Sequence, residues 1–269
     1  GLSTQHAVTR SVRDSAALLD ASAGAELGSP YFAPVPERPF LDEVRRDPGR
    51  LRIGVIDSPP SGVAVDPEVS AALQDTAQWL AGLGHQLERA RFPIDFPAAN
   101  QGMLDTLVVS VRKVLEDRAR ELRREVTRED VETVTWRFFE MGGKVSGTAY
   151  ARAREVFDRV GFEMARLSER FDVLLSPTLA QPPIEIGLMS LSPVDFDAFV
   201  RSVTGFGPFT AVYNMSGQPA MSVPLAWTRD GLPVGMMFAA ALGGEGVLYR
   251  LAGQLEQRAP GETDDRQTL

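Results

Sequence analysis

The stretch Leu51-Arg-Ile-Gly-Val-Ile-Asp57 is rich in β-branched residues and is typical of a β-strand. After a loop of Ser, Pro and Gly, Asp66-Pro67-Glu68 combines a capping Asp, a Pro in the first helical position and an acidic residue, which together predict a helix start. This helix ends at Gly82 or Gly84, and residues 85–90 form the next predicted strand. The whole stretch is therefore a predicted β-α-β unit of an α/β sheet.

The region before this unit predicts one helix and one loop. Residues 9–23 have apolar positions at helical spacing, with Thr9 or Ser11 as the cap and Gly24 at the end. The following loop runs to about residue 40 and is rich in Gly and Pro, so we expect it to cross the surface.

The region after the unit begins as a helical stretch from about residue 96 to 170. Thr127-Arg-Glu-Asp130 is a capping box that predicts a helix start, and the longest helix is expected from about Thr148 to Ser168. Phe171-Asp-Val-Leu-Leu175 then predicts a buried strand, stopped by Ser176-Pro177-Thr178. The predicted buried side of the longest helix consists of Phe157, Val160, Met164 and Leu167.

The remaining pattern predicts a helix from Asp195 to Val203, a hairpin and a last helix from Glu245 to Gln257. The hairpin joins Ala220–Thr228 to Val234–Ala240 through a turn at Asp230-Gly231. Strands interleaved with helices predict an α/β fold, with a mixed β-sheet covered by helices on both faces.

The domain organisation that follows is simple. Residues 1–260 are predicted to form a single domain, and residues 261–269 a polar tail that is disordered. The chain starts Gly-Leu-Ser-Thr without Met, so we expect that it was cleaved or that it begins within a longer protein.

Composition excludes several classes of function. The net charge is −8 and the pI is near 5.0, which disfavours nucleic acid as a partner. The chain has no Cys and only two His, which argues against disulfides, Cys-based zinc sites and a His-rich metal cluster. No apolar run reaches the roughly 18 residues that span a bilayer. A cytoplasmic protein without metal or cofactor is the simplest interpretation.

Several local motifs have structural explanations. The loop Ser58-Pro-Pro-Ser-Gly62 lacks the glycine pattern of a dinucleotide site, and its prolines remove amide donors. Lys144 and Ser146 lie two residues apart, as in Ser–Lys acyl chemistry, but a solvated glycine-rich loop would not lower the pKa of a lysine. His85 is expected to act as a cation at a helix end, and His6 has no predicted partner.

Three segments, in this order and spacing, carry a family resemblance. They are Thr9-Arg-Ser-Val-Arg-Asp-Ser-Ala-Ala-Leu-Leu-Asp20, then Phe171-Asp-Val-Leu-Leu-Ser-Pro-Thr178, and finally Phe209-Thr-Ala-Val-Tyr-Asn-Met-Ser-Gly-Gln-Pro-Ala-Met-Ser-Val-Pro224. They resemble the part of the amidase signature family that follows the nucleophile. The resemblance extends from about residue 1 to 257, and the run through Tyr213-Asn-Met-Ser-Gly-Gln-Pro219 is most similar to broad-specificity amidases and 6-aminohexanoate-cyclic-dimer hydrolases.

The resemblance implies a serine hydrolase of carboxamides. Its machinery would be a serine nucleophile, a bridging serine, an unprotonated lysine as base and backbone amides as the oxyanion hole. No Gly-Gly-Ser-Ser-Gly-Gly-like run occurs in this chain, so no catalytic residue is assigned here. We expect that machinery upstream, which makes the missing N-terminal segment of the same enzyme a required partner. A catalytically inactive binding or scaffold protein, a second chain that carries the nucleophile, and a homodimer stay open.

The resemblance also implies substrate-binding residues. Thr178, Asn214 and Gln218 match family positions that approach the substrate. Phe209 can add aromatic surface to the site, although core packing is favoured for it. Thr178 as a turn residue and Asn214 as a cap or loop hydrogen bond are equally open.

The resemblance also bears on the substrate. The glutamyl-tRNA amidotransferase A subunits bind glutamine with an arginine and an aspartate, whose positions fall near Phe157 and Gly207. Because neither residue can pair with a zwitterion, an uncharged or apolar amide is the expected small-molecule substrate, although Arg159 lies close enough to leave an alternative.

Overall fold

The computed structural model describes residues 2–29 and 32–258, so the predicted tail at 261–269 and Tyr31 of the first loop lie outside it. The helices of these residues are α1 (Val12–Ser22), α2 (Phe40–Glu43), α3 (Pro67–Gly82), α4 (Phe96–Leu122), α5 (Thr133–Gly142), α6 (Gly147–Arg170), α7 (Phe196–Phe206), α8 (Ala211–Ser216) and α9 (Glu245–Arg258). The strands are β1 (Arg52–Val55), β2 (Gln86–Arg89), β3 (Val173–Pro177), β4 (Ala220–Trp227) and β5 (Pro233–Ala239).

The strands form one mixed sheet in the order β2-β1-β3-β5-β4. β1 pairs in parallel with both β2 and β3, which confirms the predicted β-α-β unit. β5 is antiparallel to β3 and to β4, and the β4–β5 hairpin turns through Gly231, whose φ is +78°. The predicted α/β class with a mixed sheet is therefore confirmed.

Helices cover both faces of the sheet. On the first face, α3 and α9 pack against the strands through Leu73, Leu80, Leu251 and Leu255. On the second face, α6 and the α8 region pack against Leu174, Met237 and Ala239 through Val160, Met164, Phe209, Val212 and Tyr213. The long α4 lies against α5 and α6, so it extends the layer on the second face.

Side-chain caps set where the helices begin. Ser11, Asp66, Asp95, Ser146 and Asp195 each accept a hydrogen bond from a backbone N–H in the first turn of the helix that follows. Such caps satisfy amide groups that have no partner inside the helix. The caps that the sequence predicts at Ser11 and Asp66 are confirmed.

Two helical predictions were wrong. The longest helix is α4, with 27 residues, and α6 follows with 24. The capping box at Thr127–Asp130 is present, but it closes a single 3-10 turn, and α5 begins only at Thr133. Asp130 uses its carboxylate to bind both the Thr127 backbone and Arg124, so the box ties the end of one helix to a turn instead of starting the next.

The prediction that Ser176 and Pro177 stop the third strand was also wrong, because β3 continues through both. Pairing between β1 and β3 ends at Val55 and Leu175. The missing N–H of Pro177 therefore lies beyond the parallel ladder, and the antiparallel ladder to β5 continues past it, where the Thr178 N–H donates to Gly235 at 3.0 Å.

A buried carboxylate connects α2 to α9. The Glu43 side chain is 5% exposed and pairs with Arg250, Arg38 and Arg46. Burial alone raises the pKa of Glu43, but the hydrogen bond from Arg250 and the three positive charges outweigh it, so the pKa lies below its ordinary value of 4.5. The folded protein therefore favours the ionised carboxylate over the protonated form.

We predict that Glu43→Gln lowers the free energy of unfolding by about 3 kcal/mol at pH 7, because three guanidinium groups lose their buried partner. The folded-state pKa is lowered, so this stabilisation is fully present above pH 4.5 and disappears as pH falls through the lower folded value. Urea unfolding across that range should show a smaller acid-induced loss in Glu43→Gln than in the wild type. Glu37→Gln, at a side chain that is 85% exposed and pairs with Arg38, is the control and should change little.

Two helical glycines give a matched test of the packing between α2 and α9. A Cβ at Gly253 would overlap the carbonyl oxygen of Val44, whereas one at Gly161 would meet only the Ser216 carbonyl oxygen at 3.9 Å. We predict that Gly253→Ala lowers the free energy of unfolding by about 2 kcal/mol. Gly161→Ala should raise it by about 1 kcal/mol, because Ala is the better helix former. Equal effects in urea unfolding would contradict the close approach of α9 to α2.

Candidate functional site

The helices leave part of the second sheet face uncovered. Ser222 of β4 lies opposite Met237, and Pro224 lies opposite Gly235, so all four residues share this face. Met237 is buried under the helices, whereas Ser222 and Pro224 are exposed. Thr178 follows β3 on the same side and is half-buried. We call the exposed surface of Thr178, Ser222, Pro224 and Gly235 the sheet wall.

A pair of hydroxyl groups lies at the centre of the sheet wall. Thr178 Oγ1 and Ser222 Oγ are 2.7 Å apart, and either can donate to the other. A Cβ on Gly235 would lie 2.6 Å from the Ser222 oxygen and 3.0 Å from the Thr178 oxygen. Only glycine at this position leaves room for both hydroxyls. Each oxygen keeps further hydrogen-bonding capacity, so the pair can bind a neutral amide.

The sequence predicted a substrate contact for Thr178 but not for Ser222, and the contact of Thr178 stays a prediction. A signal was present, because Ser222 carries the only polar side chain in the strand Ala220–Trp227. A single hydroxyl in an otherwise apolar strand indicates that this side chain has a hydrogen-bonding partner. The partner could not be read from the pattern, since it depends on the register between β3, β5 and β4.

Asn214 and Gln218 make structural hydrogen bonds. Asn214 Nδ2 donates to the Leu2 carbonyl at 2.8 Å, which attaches the N-terminal segment to α8. Gln218 is 8% exposed, and its Nε2 donates to Ser168 Oγ of α6 at 2.8 Å. Its Oε1 accepts from Ser216 Oγ at 3.2 Å. A contact of either side chain with substrate stays a prediction.

The aromatic residues of this region lie in the core. Phe209 is 0% exposed and belongs to the cluster under the second sheet face, which is the core packing that the sequence favoured. Tyr213 is also buried, and burial raises the pKa of its phenol well above the ordinary value of 10.0. Phe209, Asn214 and Gln218 thus lie on one segment against α6, while Thr178 joins β4 through Ser222.

The two histidines have roles that the sequence did not predict. His85 is buried, its Nδ1 accepts the Leu51 N–H at 3.2 Å, and its Nε2 lies 2.9 Å from Gln254 Oε1. An Nδ1 that accepts from a backbone amide carries no proton, so the prediction of a helix-end cation was wrong. His6 does have partners, because its Nε2 lies 2.9 Å from Ser15 Oγ and 3.4 Å from the Tyr249 hydroxyl.

Both lysines of the chain lie at the surface. The sequence contains only Lys113 and Lys144. Lys113 is 73% exposed and pairs with Asp117, and Lys144 is exposed. Ser146 caps α6 by accepting the Ala149 N–H at 3.1 Å, so the Lys144–Ser146 motif has the structural role that the sequence favoured. Within residues 2–29 and 32–258, no group of three His, Asp or Glu residues could hold a metal ion.

Phe157 and Gly207 stand near the positions that the resemblance relates to glutamine binding in the amidotransferases. Phe157 is 4% exposed, and Gly207 ends α7. Arg159 lies on the exposed side of α6 and lines a shallow cavity together with Asp95 and Glu163. The two carboxylates give this cavity a negative balance, so it is poorly suited to bind the carboxylate of an amino acid.

In the part of the chain that the structure describes, no helix is long and apolar enough to cross a membrane.

Comparison with known proteins gives consistent matches. The family model described as Amidase matches residues 1–248. The chain is 34% identical to the 6-aminohexanoate-cyclic-dimer hydrolase of Paenarthrobacter ureafaciens over 264 residues, which is 93% of this chain and 52% of that protein. It is 31% identical to the putative amidase AmiC of Mycobacterium leprae over 97% of this chain and 53% of that protein.

Solved structures of amide-hydrolysing enzymes also match the fold of this chain. A structure of 6-aminohexanoate cyclic dimer hydrolase matches with a TM-score of 0.85 at 33% identity, covering 94% of this chain and 54% of that one. A bacterial aryl acylamidase structure shares the fold with a TM-score of 0.78 at 20% identity. The chain spans about half the length of the curated relatives that it matches.

The bond between Gln218 and Ser168 predicts an energetic coupling between the segment after α8 and α6. In a double-mutant cycle, Gln218→Ala and Ser168→Ala should show a coupling of about 1 kcal/mol in the free energy of unfolding, because both remove the same hydrogen bond. Asn214→Ala is the matched control. It should be additive with Ser168→Ala, since Asn214 bonds to Leu2 instead. Additivity in the first pair would contradict the structural role of Gln218.

Proposed function

Because the chain belongs to the amidase family, we propose that it is the C-terminal part of a serine amidohydrolase that cleaves the carboxamide bond of an uncharged or apolar amide. The observation that carries this proposal is the 34% identity to 6-aminohexanoate-cyclic-dimer hydrolase over 93% of the chain. That relative is named for a cyclic amide, so linear and cyclic amides are both candidate substrates.

The nucleophile and its base are proposed to lie upstream of this chain. An unprotonated lysine must be desolvated, because burial disfavours the charged ammonium. Lys113 is paired and Lys144 is exposed, so neither meets this requirement. Ser176 is buried, and its Oγ donates to the carbonyl of Pro177 at 2.9 Å, which is no position for a nucleophile. The chain covers about half the length of these relatives, so the nucleophile and the base can lie in the other half of the enzyme.

The sheet wall is proposed to form one side of the substrate site. Its hydroxyl pair can donate to an amide carbonyl and accept from an amide N–H. Thr178, Ser222, Pro224 and Gly235 carry no charge, so the wall offers nothing to balance an ionised substrate. This favours neutral amides. Phe157 and Gly207, which stand near the glutamine-binding positions of the amidotransferases, support the same conclusion because neither can form an ion pair.

The missing N-terminal segment of the same enzyme is the proposed partner. β4 is an edge strand within the described sheet, and its Trp227 is 42% exposed. An exposed edge of this kind is a ready surface for further pairing. The same observation favours the second candidate, an inactive protein derived from an amidase that uses the edge to bind another molecule.

Hydrolysis assays on the full-length protein separate the two candidates. We predict release of the amine from an uncharged anilide, measured by chromatography, and little or no ammonia from glutamine. Mass spectrometry of the intact protein confirms which sequence is tested. A full-length protein that folds but hydrolyses no amide would support the second candidate, the inactive binding protein, and would contradict the amidase proposal.

The sheet wall gives a sharper prediction. Thr178→Val and Ser222→Ala in the full-length protein should each lower kcat/KM for a neutral amide about tenfold, the value of roughly one hydrogen bond. Their melting temperatures should stay close to that of the wild type, because both positions are partly or fully exposed. Thr148→Val, at an exposed hydroxyl on α6, is the control and should leave kcat/KM unchanged.

A further inference from the structure

Helix α7 carries an apolar stripe that it buries only in part, since Val200 and Val203 are exposed. The apolar side chains recur at helical spacing on one side of the helix: Phe196, Phe199, Val200, Val203 and Phe206. No residue of α7 is buried, and Val200 and Val203 are 37% and 42% exposed. A surface helix normally places such a stripe against the core, so the stripe indicates a surface that binds something.

The segment before α7 has the same character. Ile186, Leu188, Leu191 and Val194 are all exposed, with Ile186 and Val194 fully so. Two contacts attach this segment and α7 to helix α5. The Phe196 ring lies 6.1 Å from the ring of Phe138, and the Leu191 carbonyl accepts a hydrogen bond from the Val134 N–H. We call residues 181–206 the flap.

Both ends of the flap are joined beside the candidate site. The Ala180 N–H donates to the Phe206 carbonyl at 2.9 Å, so the flap leaves and returns at one point. Thr178 of the sheet wall lies two residues before this junction, and the buried Phe209 lies three residues after it. The junction is tightened by Thr210, whose Oγ1 donates to the Gly207 carbonyl at 3.4 Å.

We propose that the apolar stripe of α7 binds the hydrocarbon part of the amide substrate, and that Val200 and Val203 select substrates by the length of that part. This inference rests on the proposed function, and it adds the residues that determine specificity. The continuity of the flap with Thr178 favours this occupant, because a substrate held by the hydroxyl pair would lie at the base of the flap.

The dimensions and chemistry agree with this occupant. An eleven-residue helix is about 16 Å long, enough to follow an extended chain of several methylene groups. Val200 and Val203 offer no hydrogen bonds, so they favour hydrocarbon over polar groups. Each methylene buried against the stripe should strengthen binding about fourfold.

This chain contains no Cys, so an introduced thiol can be labelled in the full-length protein once any Cys outside the chain has been replaced by Ser. Val203→Cys places a thiol on the stripe, and Ser202→Cys places a matched thiol beside it, on the more polar side of α7. The rate of reaction with a maleimide is measured with and without aliphatic amides from acetamide to octanamide, and the unmodified protein gives the background.

We expect both thiols to react freely in the absence of amide. Amides should slow the reaction of the Val203→Cys thiol, with a protection constant that falls about fourfold per methylene, and leave the Ser202→Cys thiol unchanged. Two results would overturn the inference. A Val203→Cys thiol that is unreactive without amide means that another part of the protein, or a second copy, covers the stripe. A reactive thiol that no amide protects means that the substrate binds elsewhere.

A kinetic measurement separates this inference from the proposed function. In the wild type, kcat/KM for acyl anilides should rise with acyl chain length, and Val203→Ser should flatten that slope while Ser202→Ala preserves it. A uniform decrease at all chain lengths indicates a merely structural role and counts against the inference. Protection without hydrolysis of any amide would show that the stripe binds the hydrocarbon part of an amide and would contradict only the proposed hydrolysis. Hydrolysis without protection would contradict only the inference about the stripe.

Discussion

The complete burial of β3 is the constraint on which the rest of the structure depends. All five residues of the strand are buried, with Val173 and Leu175 in one core cluster and Leu174 in the other. Such a strand must be paired on both edges and covered on both faces. β1 provides a parallel neighbour and β5 an antiparallel one, and this change of direction places Thr178 next to the hairpin of β4 and β5.

The sheet wall follows from that geometry and from one small residue. The β4–β5 hairpin sets Ser222 opposite Met237, and a register shift between Pro224 and Ala226 is absorbed within β4. Gly235 then leaves the space in which the hydroxyls of Thr178 and Ser222 meet. The wall is therefore built by backbone register more than by any side-chain network, and the helices that cover the neighbouring Met237 stop short of it.

The sequence allowed the elements to be predicted where a local physical signal exists. Asp66 and Pro67 predict the start of α3, and the turn residues Asp230 and Gly231 predict the hairpin. The errors fall where tertiary contacts decide. Pro177 continues a strand because its missing N–H lies past the end of the β1 ladder, and His85 is a buried hydrogen-bonding group because Leu51 and Gln254 surround it.

The candidate site could be predicted only in part. Thr178 and the segment around Asn214 are candidates from the family resemblance, but the hydroxyl partner Ser222 depends on pairing between strands distant in sequence. The structural role of Gln218 depends on how α6 packs, which no local pattern records. The helix from Asp195 to Val203 was predicted from its pattern, but periodicity alone cannot show that part of its apolar side stays exposed.

The central claim is that this chain supplies a wall of the site while the nucleophile lies elsewhere in the enzyme. Labelling of the full-length protein with a fluorophosphonate, followed by mass spectrometry of the peptides, tests it most directly. The account predicts one labelled serine outside residues 2–258. A label on a serine of this chain, such as Ser146, Ser176 or Ser222, would contradict it.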